Sequence, residues 1–468
     1  MSIGSSLGGS PFSCMPNSVY LCPWSRLGEP VTFGASFYGP PGNGGVPTGD
    51  VKFFDQGQLV GSAMLVNGGA SLTLNNLAEG SHFVTVEWAG DATFFPPVTM
   101  SGVPHMVRAT LPGWLTKGSP LQINFSPLPA SAEQVLVNLT VTNGLGSGYL
   151  TANRCGDVAG STTSNANFAK GATSANLAVI AVDLSVTCLL ASEAVQSIVD
   201  IQGYFSHSSG LFFQARPPAR VLDTRGDAKP TANTIIRVNA GVEPGSQVVL
   251  ANLTTTDAHT TGYITADKCS VLTTGLQTKS NGNYADGTTT ANLAVVPLDP
   301  DGSFCIYTSE SANVIVDVQG TFTAQTADKF TRSGRPGSPA ALRALDTRSR
   351  TRPATNSITT VRLSPPTGSA SVLVNLTTTD AEGTGYITAD RCSALSSGPQ
   401  SKSNGNFIAN VTTPNLAVVP LDADGTFCIY TSASAHLIAD IQGTFSADGG
   451  NLFTPVPARR VYDSRIAL

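Results

Sequence analysis

The chain has 468 residues, with 26 Lys+Arg against 31 Asp+Glu, 12% charged and 41% hydrophobic residues, 47 Gly and 30 Pro. At about 150 residues per domain this length predicts roughly three domains, and low charge with ample Val, Ile and Leu argues for a folded, turn-rich chain over a disordered one. A formal charge of −5 without any Lys/Arg run excludes a phosphate-neutralising surface, so nucleic acid is not an expected partner, and no apolar stretch reaches the length needed to cross a bilayer, since the greasy residues 176–182 run into Asp183.

Residues 1–13 are small and polar, without the basic and apolar regions of a secretory leader, so either a leader has been removed from this numbering or export takes another route. The Gly-x-Ser-x-Gly string from Gly4 to Gly8 lies in this polar tail, without the strand-to-helix context of a nucleophile elbow, and reads as an accident of composition. From Val31 to Val107, short alternating runs separated by Gly-centred turns predict a β-sandwich. The strand Gly-Asp-Val-Lys-Phe-Phe-Asp ending at Asp55 and the Trp-Ala-Gly-Asp-Ala-Thr-Phe corner from Trp88 to Phe94 carry a resemblance to a bacterial Ig-like repeat. That resemblance implies a spacer or adhesion module of a secreted or phage-borne protein.

The rest of the chain repeats itself. VLVNLTVTNGLGSGYLTANRC from Val135 returns as VVLANLTTTDAHTTGYITADKC from Val248 and as VLVNLTTTDAEGTGYITADRC from Val372. Each copy continues through Ser-Asn-x-Asn (Asn165, Asn281, Asn404), Asn-Leu-Ala-Val (Asn176, Asn292, Asn415), Asp-x-Gln-Gly (Asp200, Asp317, Asp440) and Asp-Thr/Ser-Arg (Asp223, Asp346, Asp463). The Asp-x-Gln-Gly aspartates are 117 and 123 residues apart, too far for a solenoid turn and right for a domain. Val135, Val137, Leu139 and Val141 alternate with Leu136, Asn138, Thr140 and Thr142, the period of a strand with one apolar face. The Asp-Gly turns at Asp301-Gly302 and Asp424-Gly425 are hairpin signals. The expected class is all-β: tandem antiparallel sandwich or barrel domains, an N-terminal segment over 1–30, an Ig-like unit over 31–107, and modules over 108–225, 226–348 and 349–468. The series is also similar to an extracellular repeat of secreted actinobacterial and acidobacterial proteins, over about three quarters of the chain. It implies a secreted or surface location and no defined activity.

The cysteines fall one pair per module, Cys155/Cys188, Cys269/Cys305 and Cys392/Cys428, with Cys14/Cys22 near the start. This placement reads as disulfides of an oxidising compartment; none of the pairs has the CxxC spacing or the nearby histidine that would point to a zinc site. The five histidines, His82, His105, His207, His259 and His436, do not recur at matching positions, so no histidine is the common chemistry of the repeats. No cofactor or metal is expected. The Asp299/Asp301 and Asp422/Asp424 pairs are a weak calcium signal beside their turn reading.

Asp223/Arg225, Asp346/Arg348 and Asp463/Arg465 are the sharpest polar feature. With Asp200, Asp317 and Asp440 they read as a structural network fixing register; the functional alternative is a sugar or ion site. Asn138, Asn252 and Asn375 open Asn-x-Thr strings inside strands and read as sheet-face residues; Tyr149, Tyr263 and Tyr386, with Phe168, Tyr284 and Phe407, read as core packing with sugar stacking as the alternative. The first module lacks the Asp-Thr-Arg strand before it, whereas the chain ends on one with no module after it. Each such strand completes the module before it, or the last closes a ring onto the first, or the last enters a neighbouring molecule and builds a filament. The expected function is a non-enzymatic, extracellular or cell-surface structural or adhesive protein, with self-association or a surface glycan as partner. The alternatives are a multivalent carbohydrate-binding protein and a phage decoration or tail-fibre protein.

Overall fold

The computed structural model describes residues 2–5, 24–26, 30–37, 46–78, 80–91, 98–108, 114–161, 163–333, 341–366 and 368–465. Cys14, Cys22, Phe94 and most of the Gly4 to Gly8 string lie outside them. The chain is all-β. Among the described residues its helical content is three short 3-10 turns, Val158–Gly160, Thr224–Gly226 and Cys392–Ala394, and no helix is long and apolar enough to cross a membrane. It divides into two compact units, Met1–Pro112 and Gly113–Leu468.

The first unit is a sandwich of two sheets. One orders Ser2–Ser5, Val31–Ser36 and Gly69–Leu74; the other orders Trp24–Arg26, Val98–Arg108, Gly80–Trp88, Asp50–Asp55 and Gln58–Met64. Alternation decides what faces inward: Val31, Phe33 and Ala35 from one sheet and Val51, Phe53, Val84, Val86 and Trp88 from the other form one buried core. Trp88 stays buried because its indole N–H finds a partner, donating to Thr48 O at 3.1 Å. Two strands of these sheets, Ser2–Ser5 and Trp24–Arg26, precede the expected start at Val31.

The second unit holds three double-sheeted modules with the same strand order. In the first, an inner sheet orders Ser174–Ala181, Ala132–Thr142, Gln196–Ser206 and Leu452–Asp463, and an outer sheet orders Ala166–Phe168, Gly148–Asn153, Val186–Ala191 and Leu121–Asn124. In the second, the inner sheet is Thr290–Pro297, Ser246–Thr256, Asn313–Thr323 and Phe212–Asp223, and the outer sheet is Gly282–Tyr284, Gly262–Asp267, Ser303–Thr308 and Thr234–Asn239. In the third, Thr413–Pro420, Ser369–Thr379 and His436–Ser446 are joined by Lys329–Arg332 and Leu342–Asp346, over an outer sheet of Gly405–Phe407, Gly385–Asp390, Thr426–Thr431 and Ser357–Arg362. Each pair of sheets encloses its own core, exemplified by Val135, Val137, Leu139 and Val141 in the first module. Disulfides Cys155–Cys188, Cys269–Cys305 and Cys392–Cys428 close loops of 33, 36 and 36 residues in the outer sheets. Each contributes about 2–4 kcal/mol on loop entropy.

The Asp-Thr-Arg strands pass to the following module. Phe212–Asp223 pairs with Asn313–Thr323 of the second module, Lys329–Arg332 and Leu342–Asp346 pair with His436–Ser446 of the third, and Leu452–Asp463 pairs with Gln196–Ser206 of the first. Boundaries at 225, 348 and 468 imply that each strand completes the module before it; the pairing places it in the next, and the last strand closes a three-module ring within the chain. In this pairing the strand that one of the three alternatives sends into a neighbouring molecule fills the edge of the first module of its own chain. The linking strands are edge strands, which explains their prolines: Pro217, Pro218, Pro455 and Pro457 offer no N–H, and an edge does not need every donor.

Ring closure also changes what the alternating pattern means. Leu136, Asn138 and Thr140, expected on an outward face, are buried at 1%, 0% and 3% exposure, because the second face of each inner sheet turns toward the ring axis. There Leu136, Leu250 and Leu373 join Leu177, Leu293 and Leu416 in a core shared by all three modules. Phe205, Phe322 and Phe445 meet Phe330, Phe453 and Phe213 from the linking strands, stacked pairwise at centroid separations of 4.3, 4.2 and 3.9 Å.

Candidate functional site: the inter-module junctions

The residues that recur in the three repeats come together where the modules meet. Asp-x-Gln-Gly lies on the inner-sheet strand that receives a linking strand, and its alternate side chains point to the junction. Its aspartate is fully engaged. Asp317 accepts from Arg220 Nε and Nη2 at 2.9 and 3.0 Å, Asp440 from Arg343 at 2.6 and 3.1 Å, and Asp200 from Arg460 at 3.0 and 3.4 Å. These planar two-point pairs sit on carboxylates that are only 1–3% exposed. Burial raises the Asp200 and Asp440 carboxyls above their ordinary value, and the bound arginines oppose that rise.

The same arginine reaches a second carboxylate through Nη1: Asp223 at 3.2 Å, Asp346 at 2.9 Å and Asp463 at 2.9 Å. Those aspartates in turn grip Arg225, Arg348 and Arg465 two residues on through Nε and Nη2. The Arg225 hydrogen bond holds Asp223 down to about 2, and Arg348 and Arg465 lower Asp346 and Asp463 in the same way. Arg220, Arg343 and Arg460 were not singled out in sequence, although each stands three residues before its aspartate in all copies. They connect the two sets of aspartates.

Glycine of Asp-x-Gln-Gly makes room for the linking strand. A Cβ on Gly203, Gly320 or Gly443 would stand 2.3 Å from the ring of Phe453, Phe213 or Phe330. The glutamine crosses to the adjacent module, with Gln202 Oε1 accepting from Val295 N at 3.2 Å and Gln319 Oε1 from Val418 N at 2.8 Å.

Nine asparagines complete the ring. Asn292, Asn415 and Asn176 donate through Nδ2 to Asn138, Asn252 and Asn375 of the adjacent module at 2.9, 2.8 and 3.0 Å, and also to the carbonyls of Asn281, Asn404 and Asn165 in their own. Their Oδ1 atoms accept the backbone N–H of Leu177, Leu293 and Leu416 across the junctions at 3.0–3.1 Å. Asn138, Asn252 and Asn375 donate to Ser280 O, Ser403 O and Ser164 O. Buried amides bonded across a junction in this way are specific to one register and one neighbour.

Among the described residues no group of three or more His, Cys, Asp and Glu could hold a metal ion. Asp299 and Asp301 accept from Ser270 and Ser303 hydroxyls, and Asp422 and Asp424 from Ser393 and Thr426, so these carboxylates close turns. A serine–histidine contact, Ser25 Oγ to His105 Nε2 at 2.9 Å, is enclosed in the core of the first unit.

Open space at the junctions takes the form of grooves. One of about 500 Å³ lies between the third and first modules and is lined by Arg343, Arg348, Asp440, Thr377 and Thr379 opposite Tyr149. Another of about 1050 Å³ lies between the first and second, with Arg460 and Arg465 opposite Tyr263. Phe168, Tyr284 and Phe407 are buried, whereas Tyr149 is 47% exposed.

Residues 23–107 match the bacterial Ig-like domain (group 3) family. No curated protein matches the chain. A solved structure described as the triple jelly roll fold and turret assembly in an archaeal virus is 9% identical, covering 78% of this chain and 90% of that one at a TM-score of 0.16. The Sulfolobus turreted icosahedral virus is 9% identical, covering 79% and 91% at a TM-score of 0.17. Likeness at that TM-score carries no weight for fold or function. An Ig-like domain, three disulfides and an all-β fold are consistent with an extracellular structural or adhesive protein.

Proposed function

We propose that this chain is a non-enzymatic extracellular protein whose three-module ring is a rigid scaffold for structural or adhesive work at a cell surface. One observation carries the reading: the arginine-bound aspartates tie each linking strand to its sheet, and the Asn-Leu-Ala-Val asparagines bond across the junctions from one module to the next. Asp-x-Gln-Gly, Asp-Thr/Ser-Arg, Ser-Asn-x-Asn and Asn-Leu-Ala-Val supply the arginine pairs, the ring slot and the asparagine circuit. Residues retained for turnover would be expected to converge on a reacting centre, with a base and an activated group in reach. Here the aspartates are taken up by arginines and the Asn-Leu-Ala-Val asparagines by asparagines and backbone groups across the junctions. Disulfides in every module and an Ig-like unit favour work outside the cell.

The test is location and redox state in the producing cells. The protein is expected in the medium or on the surface, removable by protease shaving of intact cells, with Cys155, Cys188, Cys269, Cys305, Cys392 and Cys428 oxidised. Recovery from the cytosol with those thiols free would overturn the reading.

A further inference from the structure

We propose that the groove between the third and first modules binds a neutral saccharide, with the Tyr149 ring as its stacking platform. The inference deepens the adhesive reading and rests on it for a location where glycans are met.

The three repeats are not equivalent at this tyrosine. Tyr263 is braced by Tyr307 with ring centroids 6.0 Å apart, and Tyr386 by Tyr430 at 5.9 Å. Their hydroxyls accept the backbone N–H of Gln277 and Gln400 at 3.1 and 2.9 Å. In the first module Leu190 stands where the others have Tyr307 and Tyr430, and the chain between Cys155 and Asn165 is two residues shorter than that between Cys269 and Asn281. Among the described residues neither brace is present, and Tyr149 stands half exposed on the wall of a groove within the range of about 300–1,000 Å³ of small-ligand sites.

Chemistry of the opposite wall selects the ligand class. Arg343 and Arg348 face Asp440 and Asp346, so two positive and two negative charges cancel in a fixed array. A neutralised array has no net attraction for sulfate or carboxylate. It does present hydrogen-bonding edges: Asp346 takes Nε and Nη2 of Arg348, leaving the Nη1 edge of a side chain that is 51% exposed. Thr377 and Thr379 also line the groove, buried, with the Thr379 hydroxyl bonded to that of Thr412 at 2.7 Å. An aromatic face opposite fixed polar groups of both signs suits a ring that is apolar on one face and rich in hydroxyls at its rim, as a neutral sugar is.

The full-length chain should be presented to an array carrying neutral, sulfated and carboxylated glycans, and the best-retained neutral glycan titrated by calorimetry. Tyr149→Ala is expected to weaken binding about tenfold or more, and Tyr149→Phe, which keeps the ring, to stay within about threefold of the parent. Tyr149 is half exposed, so both variants should fold, with an unfolding midpoint close to the parent's as the check. Three outcomes overturn the proposal: a blank array, retention of charged glycans only, or unchanged affinity in Tyr149→Ala. None of these touches the scaffold reading, whose own test is location and cysteine oxidation.

Discussion

The contact between Gly203 and Phe453 joins residues 250 positions apart in sequence, and its energetics follow from the geometry. Phe453 is fully buried, stacked on Phe322 at 4.2 Å and tilted against Phe205 at 5.2 Å. Phe453→Ala should cost about 3–5 kcal/mol, of which the aromatic pairs supply roughly 0.5–1.5. Gly203→Ala places a Cβ 2.3 Å from Phe453 Cζ and 2.8 Å from Thr454 O, an overpacking worth about 1–3 kcal/mol. In the double variant the new methyl enters space the ring has vacated, while the backbone contact persists. The two changes should therefore sum to about 1–2 kcal/mol more than the double variant loses. Urea unfolding followed by far-ultraviolet circular dichroism gives all three values on the full chain. Additivity within about 0.5 kcal/mol would refute the reasoning, since it would mean that the ring does not occupy the slot.

Further expectations follow from the same junctions. Arg343→Ala strands the buried Asp440 carboxylate and should cost about 3–5 kcal/mol in urea unfolding, whereas Arg348→Ala, half exposed, should cost about 1 kcal/mol or less; equal losses would contradict this ranking. Asn292→Ala leaves the buried Leu177 N–H and Asn138 Oδ1 without their partners and should cost at least about 1–3 kcal/mol, read as a fall in the urea midpoint; an unchanged midpoint would refute it. The carboxyls of Asp223, Asp346 and Asp463 are depressed, so their stabilisation is present above the ordinary carboxylate range and lost as pH falls through the folded values, about 2 for Asp223. The buried Asp200 and Asp440, raised instead, oppose that loss because their stabilising share grows toward low pH. Asp223→Asn should accordingly flatten the decline of unfolding free energy between pH 4 and 2 by about 1 kcal/mol after screening, and a decline parallel to the parent's would contradict the assignment.

Much of this architecture is legible in the residues. Alternation in residues 135–142 and its two later copies predicts the central strands, and one cysteine pair per copy predicts the three disulfides. What alternation cannot reveal is the nature of the second face. Asn138 and Thr140 have the polarity of an outward face, yet they are buried because a second module covers them, and an asparagine with satisfied partners looks the same in sequence as a solvated one. The destination of the Asp-Thr-Arg strand is likewise set by long-range pairing. Two local signals did point toward it: the arginine three residues before each aspartate, which exceeds what a single Asp/Arg pair needs, and the glycine after Asp-x-Gln on an otherwise bulky strand, a mark of close approach. Tyr149 stands apart only when the copies are compared at Leu190, Tyr307 and Tyr430.

The central claim is that the last strand completes the first module of its own chain, and a cysteine pair placed across that seam tests it directly. Tyr204 and Thr454 are direct partners in the antiparallel register, and both are half-buried. Tyr204→Cys with Thr454→Cys, oxidised in dilute solution and run denatured without reductant, should give a single band of monomer mass that migrates ahead of its reduced form. A ladder of crosslinked multimers, or two thiols that stay free while the chain is folded, would contradict closure within the chain.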